Sequence, residues 1–232
     1  MPPFLNYISD FFSLFFPEVC GCCGGKLIRG EKIICTTCRF DLPYTNFHRD
    51  KDNALARQFQ GHFNLGFAIA CFYFRQDSKV QSLIHQLKYR DRPETGLWLG
   101  RHYGNRIKEY IRMDLPELII PVPLHKKRQK QRGYNQSECI AQGLSEITGI
   151  PVDITVLQRS SYTDTQTRKS RFQRFENMKD VFSVHEAGKV AEKHVLIVDD
   201  VITTGATIEA CALKLFESGA AKVSISSVAF AV

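Results

Sequence analysis

The chain has 232 residues, 44% of them hydrophobic and 24% charged, with a formal net charge of +7. That length and balance exclude a disordered chain and fit one ordinary domain with at most a small appendage. The positive charge favours anionic partners, whether phosphates, nucleotides or nucleic acid, without choosing among them.

The chain opens with MPPFLNYISDFFSLFFPEVC. No Lys or Arg precedes Lys26 and Asp10 interrupts the run, so it lacks the basic start of a signal peptide. It is also too short and broken to span a bilayer. Phe4, Ile8, Phe11 and Phe15, with Leu5, Phe12 and Phe16, fall at helical spacing. They predict a short amphipathic helix docked on the body of the protein. A membrane-surface helix would carry a basic polar face, which this one lacks. With no membrane-spanning segment elsewhere, the expectation is a cytoplasmic protein with no membrane insertion.

Five of the eight cysteines crowd the next stretch: Cys20, Cys22, Cys23, Cys35 and Cys38. Cys20-Gly-Cys-Cys23 and Cys35-Thr-Thr-Cys38 are two Cys-x2-Cys pairs separated by eleven residues. Each pair makes the local turn that lets two thiolates reach one ion. Four thiolates suit tetrahedral Zn²⁺, and a metal suits a segment too small for its own core. Disulfides are the competing reading, disfavoured without a secretory signal. Cys22 is an alternative ligand to Cys20 or Cys23, and the spacing favours the latter two. A closed set of four cysteines leaves no position for catalysis, so its role is folding, where zinc supplies on the order of 10 kcal/mol. A nucleic-acid-binding ribbon remains a second use. Cys71, Cys139 and Cys211 read as buried small hydrophobes.

The polar stretch HRDKDNALARQFQG reads as a linker or loop. It sets a boundary near residue 50, with a helix and zinc ribbon over 1–50 and a larger domain over 51–232. Beyond it the type alternates. GFAIACFYF is strand-like, SKVQSLIHQLKY and TGLWLGRHYGNRIKEYI are helical, and PELIIPVPL is a short buried strand ending in prolines. NQSECIAQGLSEIT is a helix stopped by Gly149, HVLIVDDV a buried strand, TGATIEACALKLFESGA a helix and KVSISSVAFAV a final strand. Such alternation predicts an α/β fold with a mainly parallel sheet flanked by helices. Ligands then sit beyond the carboxyl ends of the strands. Both the prolines after LII and the acids after VLIV fall there.

Adjacent Asp199 and Asp200 repel one another. Capping the next helix explains one acid at most. Two suggest a ligand with several hydroxyls, or a cation. Thr203-Thr204-Gly205-Ala206-Thr207 then joins a strand end to a helix start. Amide N–H groups at that end, a glycine permitting close approach and three hydroxyls make a phosphate cradle. It is not a Walker A loop. Acids for a polyol beside a seat for one phosphate imply a sugar phosphate of ribose 5-phosphate size.

VLIVDDVITTGAT closely resembles the 5-phosphoribosyl-1-pyrophosphate (PRPP) signature of the type I phosphoribosyltransferases. The resemblance implies that Asp199 and Asp200 hold the ribose 2- and 3-hydroxyls and that Thr203 to Thr207 hold the 5-phosphate. FPEVCGCCG…CTTC, LIHQLKYRDRPETG, PVPLHKKRQKQRGYNQ and QTRKSRFQRFENMKDVF, in this order with the first motif, narrow it to the ComF family. That branch is associated with competence and carries an N-terminal zinc ribbon. The resemblance covers nearly the whole chain. It implies the type I phosphoribosyltransferase fold, Mg²⁺ with PRPP, and an association with DNA uptake, with single-stranded DNA and a competence helicase as partners. Cys22 and Lys169, which stands where an aliphatic residue is usual, depart from the family pattern.

Two basic loops complete the expected site. The family's pyrophosphate loop corresponds to Pro121, Val122, Pro123 and Leu124, where prolines make a cis peptide accessible. Lys126, Lys127, Arg128, Lys130 and Arg132 follow, expected on a mobile lid near the diphosphate. A charge run is usually a solvated face, but this one begins at a strand end on the acids' edge. Arg132 to Gln136 either turns the chain, with Asn135 capping the next helix, or joins the site. Arg168, Lys169, Arg171 and Arg174 close over an anion or, with Phe172 and Phe175, form a strip for single-stranded nucleic acid. The spacing of the two Phe favours a packed helix face instead. The acceptor pocket is expected before residue 115, around Lys88, Tyr89 and Trp98.

Overall fold

Val195, Leu196, Ile197 and Val198 have no exposed surface at all. A run of branched aliphatics buried on both faces belongs in the middle of a parallel sheet. In the computed structural model, which describes residues 17–89, 92–159 and 181–231, they occupy the interior strand β5.

In chain order the elements are α1 (Thr36–Phe40), α2 (Ala54–Phe59), β1 (Leu65–Phe74), α3 (Lys79–Tyr89), α4 (Pro93–Arg112) and β2 (Leu118–Pro121). Then come α5 (Lys126–Arg132), α6 (Gln136–Thr148), β3 (Leu157–Arg159), β4 (Phe182–Val184), β5 (His194–Ile202), α7 (Ala206–Glu217) and β6 (Lys222–Ala231). The main sheet has the order β1-β6-β5-β2 with every pair parallel. Its register sets Leu118 and Val223 on either side of Val195. β3 and β4 form a separate antiparallel pair that the sequence pattern did not reveal.

Helices flank the sheet, as the alternation of elements predicts. α6 packs on β5 and β2 and also against α4, while α7 packs on β4, β5 and β6. The α4–α6 crossing depends on glycine. A Cβ at Gly100 would strike the Ile140 carbonyl oxygen, and one at Gly143 would strike that of Leu97. The two backbones touch, and this fixes α6 close to the sheet edge where the acids lie.

The polar stretch expected as a linker is largely folded. Phe47–Arg49 makes a 3₁₀ turn and Ala54–Phe59 a helix. Asn53 organises both: its Oδ1 accepts from the N–H groups of Leu55 and Ala56, and its Nδ2 donates to Ala68 O at 2.9 Å. Leu55 and Phe59 are completely buried. Capping and two apolar anchors override the local polarity, because Asn and Asp favour helix starts as much as loops. Phe47 also packs edge-on against Tyr73, with ring centroids 5.7 Å apart. The predicted N-terminal helix and the loop carrying Arg168, Lys169, Arg171, Phe172, Arg174 and Phe175 lie outside the described residues. Among the described residues no helix is long and apolar enough to cross a membrane.

Candidate functional site

β5 continues through the acid pair to Ile202, so the acids sit within the strand near its carboxyl end rather than after it. Alternation along a strand then sends neighbouring side chains to opposite faces. Asp199 turns toward α6, where its Oδ1 accepts from Ser137 Oγ at 3.0 Å and from the Asp200 N–H at 2.8 Å. Asp200 turns toward α3, and its Oδ2 lies 2.7 Å from Lys88 Nζ. Its Oδ1 accepts from the Val201 N–H at 2.7 Å. Burial, and then the adjacent Asp200 charge, push the Asp199 carboxyl up to about 7 against the opposing pull of these hydrogen bonds and Lys88. The repulsion read from the sequence is thus met by a cation on one acid and a raised proton affinity on the other.

The turn after β5 needs its glycine twice over. Gly205 has φ +75°, where L side chains are strained, and a Cβ there would come within 2.7 Å of Phe59 Cζ. Gln58 Nε2, also on α2, donates to Thr203 O at 3.1 Å. The segment expected to be a linker therefore packs against and supports the Thr203–Thr207 turn. α7 starts at Ala206, two residues later than expected, and its first amide N–H groups have no intrahelical acceptor. Asp199 and Thr203 through Thr207 line one cavity of about 40 Å³. The structure thus brings the turn and one acid together, while Asp200 faces Lys88.

The proline loop enters from the neighbouring strand. Val122 N–H donates to Val198 O at 2.9 Å, prolonging the β2–β5 pairing to the residue before Asp199. Asn135 closes the loop from the other side: its Nδ2 donates to Val122 O at 3.0 Å. Its Oδ1 caps α6 by accepting from the Ser137 N–H at 3.1 Å. Loop, cap and Asp199 are connected through two consecutive elements. The cis peptide anticipated at the prolines is absent; among the described residues every peptide bond is trans. The basic run forms helix α5, capped by His125 and ended by Gly133 at φ +81°, with none of its residues buried. Lys126, Lys127 and Arg128 lie in its first turn. Arg132, in its last, donates to Gln136 Oε1 at 2.9 Å, so it helps to fasten the turn into α6.

Sequence reading missed Ser137, Gln58, Phe59 and Arg159 as neighbours of this site. Burial, and then the charge of Arg128, lower the pKa of the Arg159 guanidinium, while Asp199 and Cys211 favour its charge. Arg159 on β3 thus feels the charges of both Asp199 and Arg128. Each of the four belongs to an element distant in sequence, and no local pattern marks it. Lys88, expected near the acceptor pocket, pairs with Asp200. Trp98 stacks on His102 with centroids 4.8 Å apart and planes 4° from parallel.

The four cysteines chosen by spacing converge. The sulfurs of Cys20, Cys23, Cys35 and Cys38 all lie within 4.8 Å of one another, and Cys22 is outside the set. A tetrahedral zinc with Zn–S of about 2.3 Å asks for sulfurs about 3.8 Å apart, which this cluster can meet. N–H groups of Cys22 and Cys35 point at Cys20 Sγ, at 3.4 and 3.3 Å, as thiolate ligands require. Burial opposes the Cys20 thiolate, but these and the Cys23 N–H outweigh it and bring its pKa to about 6. The cluster fits a structural zinc.

Comparison with known proteins agrees with this architecture. Residues 133–232 match the phosphoribosyl transferase domain. The DNA utilization protein YhgH of Shigella flexneri is 32% identical over 210 residues, covering 89% of this chain and 88% of that protein. Competence protein F of Haemophilus influenzae is 32% identical over 151 residues, covering 62% of this chain and 64% of its own length. Competence protein ComFC of Bacillus subtilis is 29% identical over 110 residues, covering 47% and 42%. With its four-cysteine knuckle, parallel sheet and phosphoribosyltransferase-type turn, the chain belongs to the ComF family.

Proposed function

We propose that the site binds PRPP or ribose 5-phosphate together with Mg²⁺, and that it supports transfer of the phosphoribosyl group to an acceptor. The observation that carries this reading is the shared cavity of Asp199 and the Thr203–Thr207 turn. The turn offers amide N–H groups at a helix start to the 5-phosphate. The two carboxylates accept hydrogen bonds from the ribose hydroxyls, each worth about 1.5–3 kcal/mol. The 121–124 loop lies beside Asp199 through Val122 and receives the diphosphate, with Lys126, Lys127 and Arg128 following on α5. Arg132 at the end of α5, and Arg171 and Arg174, which lie outside the described residues, are assigned to the same anion from the sequence.

In such a transfer the C1–O bond to pyrophosphate breaks as the acceptor's lone pair approaches C1, and positive charge develops on the ribose. No protein nucleophile is required. The chain contributes position and electrostatics: the acids fix the ribose and the basic residues stabilise the departing diphosphate. Asp199 and Asp200 are the residues that would hold a Mg²⁺ bound with the diphosphate, and the ion would there neutralise charge on the leaving group. The relatives' names refer to DNA utilization and competence, and we place this protein in the same setting, in the cytoplasm.

A second reading is favoured by α5, on which Lys126, Lys127 and Lys130 are exposed and Arg128 and Arg132 half-buried. An accessory protein could keep the sugar-phosphate site as a sensor and use this helix on single-stranded DNA or a helicase partner. Calorimetry with PRPP and Mg²⁺ separates the two. Binding by the wild type, lost in Asp199→Asn/Asp200→Asn, supports the first. No binding by the wild type rejects it. Salt-dependent affinity for single-stranded DNA, lost on replacing the α5 cations, supports the second.

A further inference from the structure

We propose that α3 is a strut coupling the four-cysteine knuckle to the acid pair, with Gln86 and Lys88 as positioning residues at its two attachments. Two residues apart on a helix, their side chains leave in nearly opposite directions. Gln86 is buried, and its Nε2 donates to the carbonyl of Gly21 at 3.0 Å. Gly21 lies between the ligand Cys20 and Cys22, and its own N–H donates to Ile33 O at 2.7 Å. The contact is close enough that a Cβ at Gly21 would sit 2.8 Å from Gln86 Oε1. Lys88, on the other side, holds Asp200 at 2.7 Å.

Between them Leu87 is completely buried, and its carbonyl accepts from Tyr134 Oη at 2.5 Å. Tyr134 immediately precedes the Asn135 cap that fastens the proline loop. At the other end of α3, Lys79 Nζ lies 2.9 Å from Asp41, the residue that ends α1 just after the ligand Cys38. One eleven-residue helix therefore touches both halves of the knuckle, the acid pair and the approach to the proline loop. A closed four-cysteine centre has no catalytic position of its own. Its contribution to the site is to hold α3, and through it Lys88, in register with Asp200. Displacing either attachment loosens the other, because the segment between them is a single rigid helix.

The ribose arm of this coupling rests on the sugar-phosphate reading above; the strut itself does not. The test uses the full-length zinc-loaded chain and the rate of zinc release to a chromogenic chelator. Lys88→Met and Gln86→Ala leave all four thiolates intact, and each is expected to release zinc about five-fold faster. Lys88→Arg restores the wild-type rate. Because the contacts act in series, the double variant is expected to be no faster than the faster single. Lys189→Met, which removes an ion pair 3.1 Å long to Asp153 away from α3, is the control and leaves release unchanged. Wild-type rates in both single variants, or effects that multiply in the double, overturn the strut.

A ligand that takes Asp200 deprives Lys88 of its partner. Ribose 5-phosphate with Mg²⁺ is then expected to raise wild-type release toward the Lys88→Met rate. If calorimetry shows binding and release does not change, the coupling is wrong. If calorimetry shows no binding, the sugar-phosphate reading fails, and the release rates alone decide the strut.

Discussion

Lys88 and Asp200 meet at 2.7 Å across 112 residues of chain, with only 12% of the Asp200 side chain exposed. The pair resolves the oddity of two adjacent acids in a buried strand. One acid is neutralised by a cation from α3, and the other, Asp199, is left to α6 and the Thr203–Thr207 turn. Alternation along β5 separates their environments, so the two carboxylates are not equivalent.

That inequality gives a pH dependence. Asp199 ordinarily titrates near 3.8 and is raised to about 7 in the folded chain. Between those values the folded state holds a proton that the unfolded state has released, so stability falls as pH rises from about 4 to about 7. Asp199→Asn removes this part of the slope. Denaturation midpoints measured across that range check it, and an unchanged slope in the variant contradicts the assignment. Ligand binding that needs the carboxylate strengthens over the upper part of the same range.

Gly205→Ala places a side chain at φ +75° and a Cβ against Phe59. A left-handed residue costs about 1–2 kcal/mol, and the clash with a buried ring adds about 1–3 kcal/mol. Urea denaturation is expected to show the loss. Sugar-phosphate affinity is expected to fall as well, because the turn shifts.

Asn135→Ala removes the cap of α6 and the bond to Val122 O. The cap alone is worth about 1 kcal/mol. The expected result is a lower denaturation midpoint together with weaker pyrophosphate binding by calorimetry. A stability loss with full pyrophosphate affinity would separate the cap from the loop.

The cysteine assignment is checked by metal content. Wild-type protein and Cys22→Ser are expected to hold one zinc per chain, whereas Cys23→Ser and Cys38→Ser lose it. Chelation of the wild type is expected to lower its melting temperature, since Cys20, Ile34, Cys38 and Leu42 belong to the core. A Cys22→Ser protein without zinc would reverse the choice.

Elements with strong periodicity or uninterrupted burial were legible in the sequence. β5, α3, α4 and α6 fall where the pattern places them, and Asn135 and Gly149 delimit α6 as their chemistry dictates. The four metal-type cysteines were legible because ligand geometry imposes spacing. The stretch around Asn53 was misread because polar capping residues look the same before a helix as in a loop; only its burial of Leu55 and Phe59 decides. The basic run, expected to be part of a lid, forms helix α5, since Lys, Arg and Gln are good helix formers even without an apolar face. Ser137, Arg159 and Gln58 could not be assigned to the site, because their role comes from tertiary placement and not from any neighbour in sequence.

The most direct measurement is a crystal structure with ribose 5-phosphate and Mg²⁺. The phosphate is expected on the amide groups of the Thr203–Thr207 turn, with the ribose hydroxyls at Asp199 and Asp200. Phosphate seated on α5 instead, with the turn and acids unchanged, would contradict the assignment of this site.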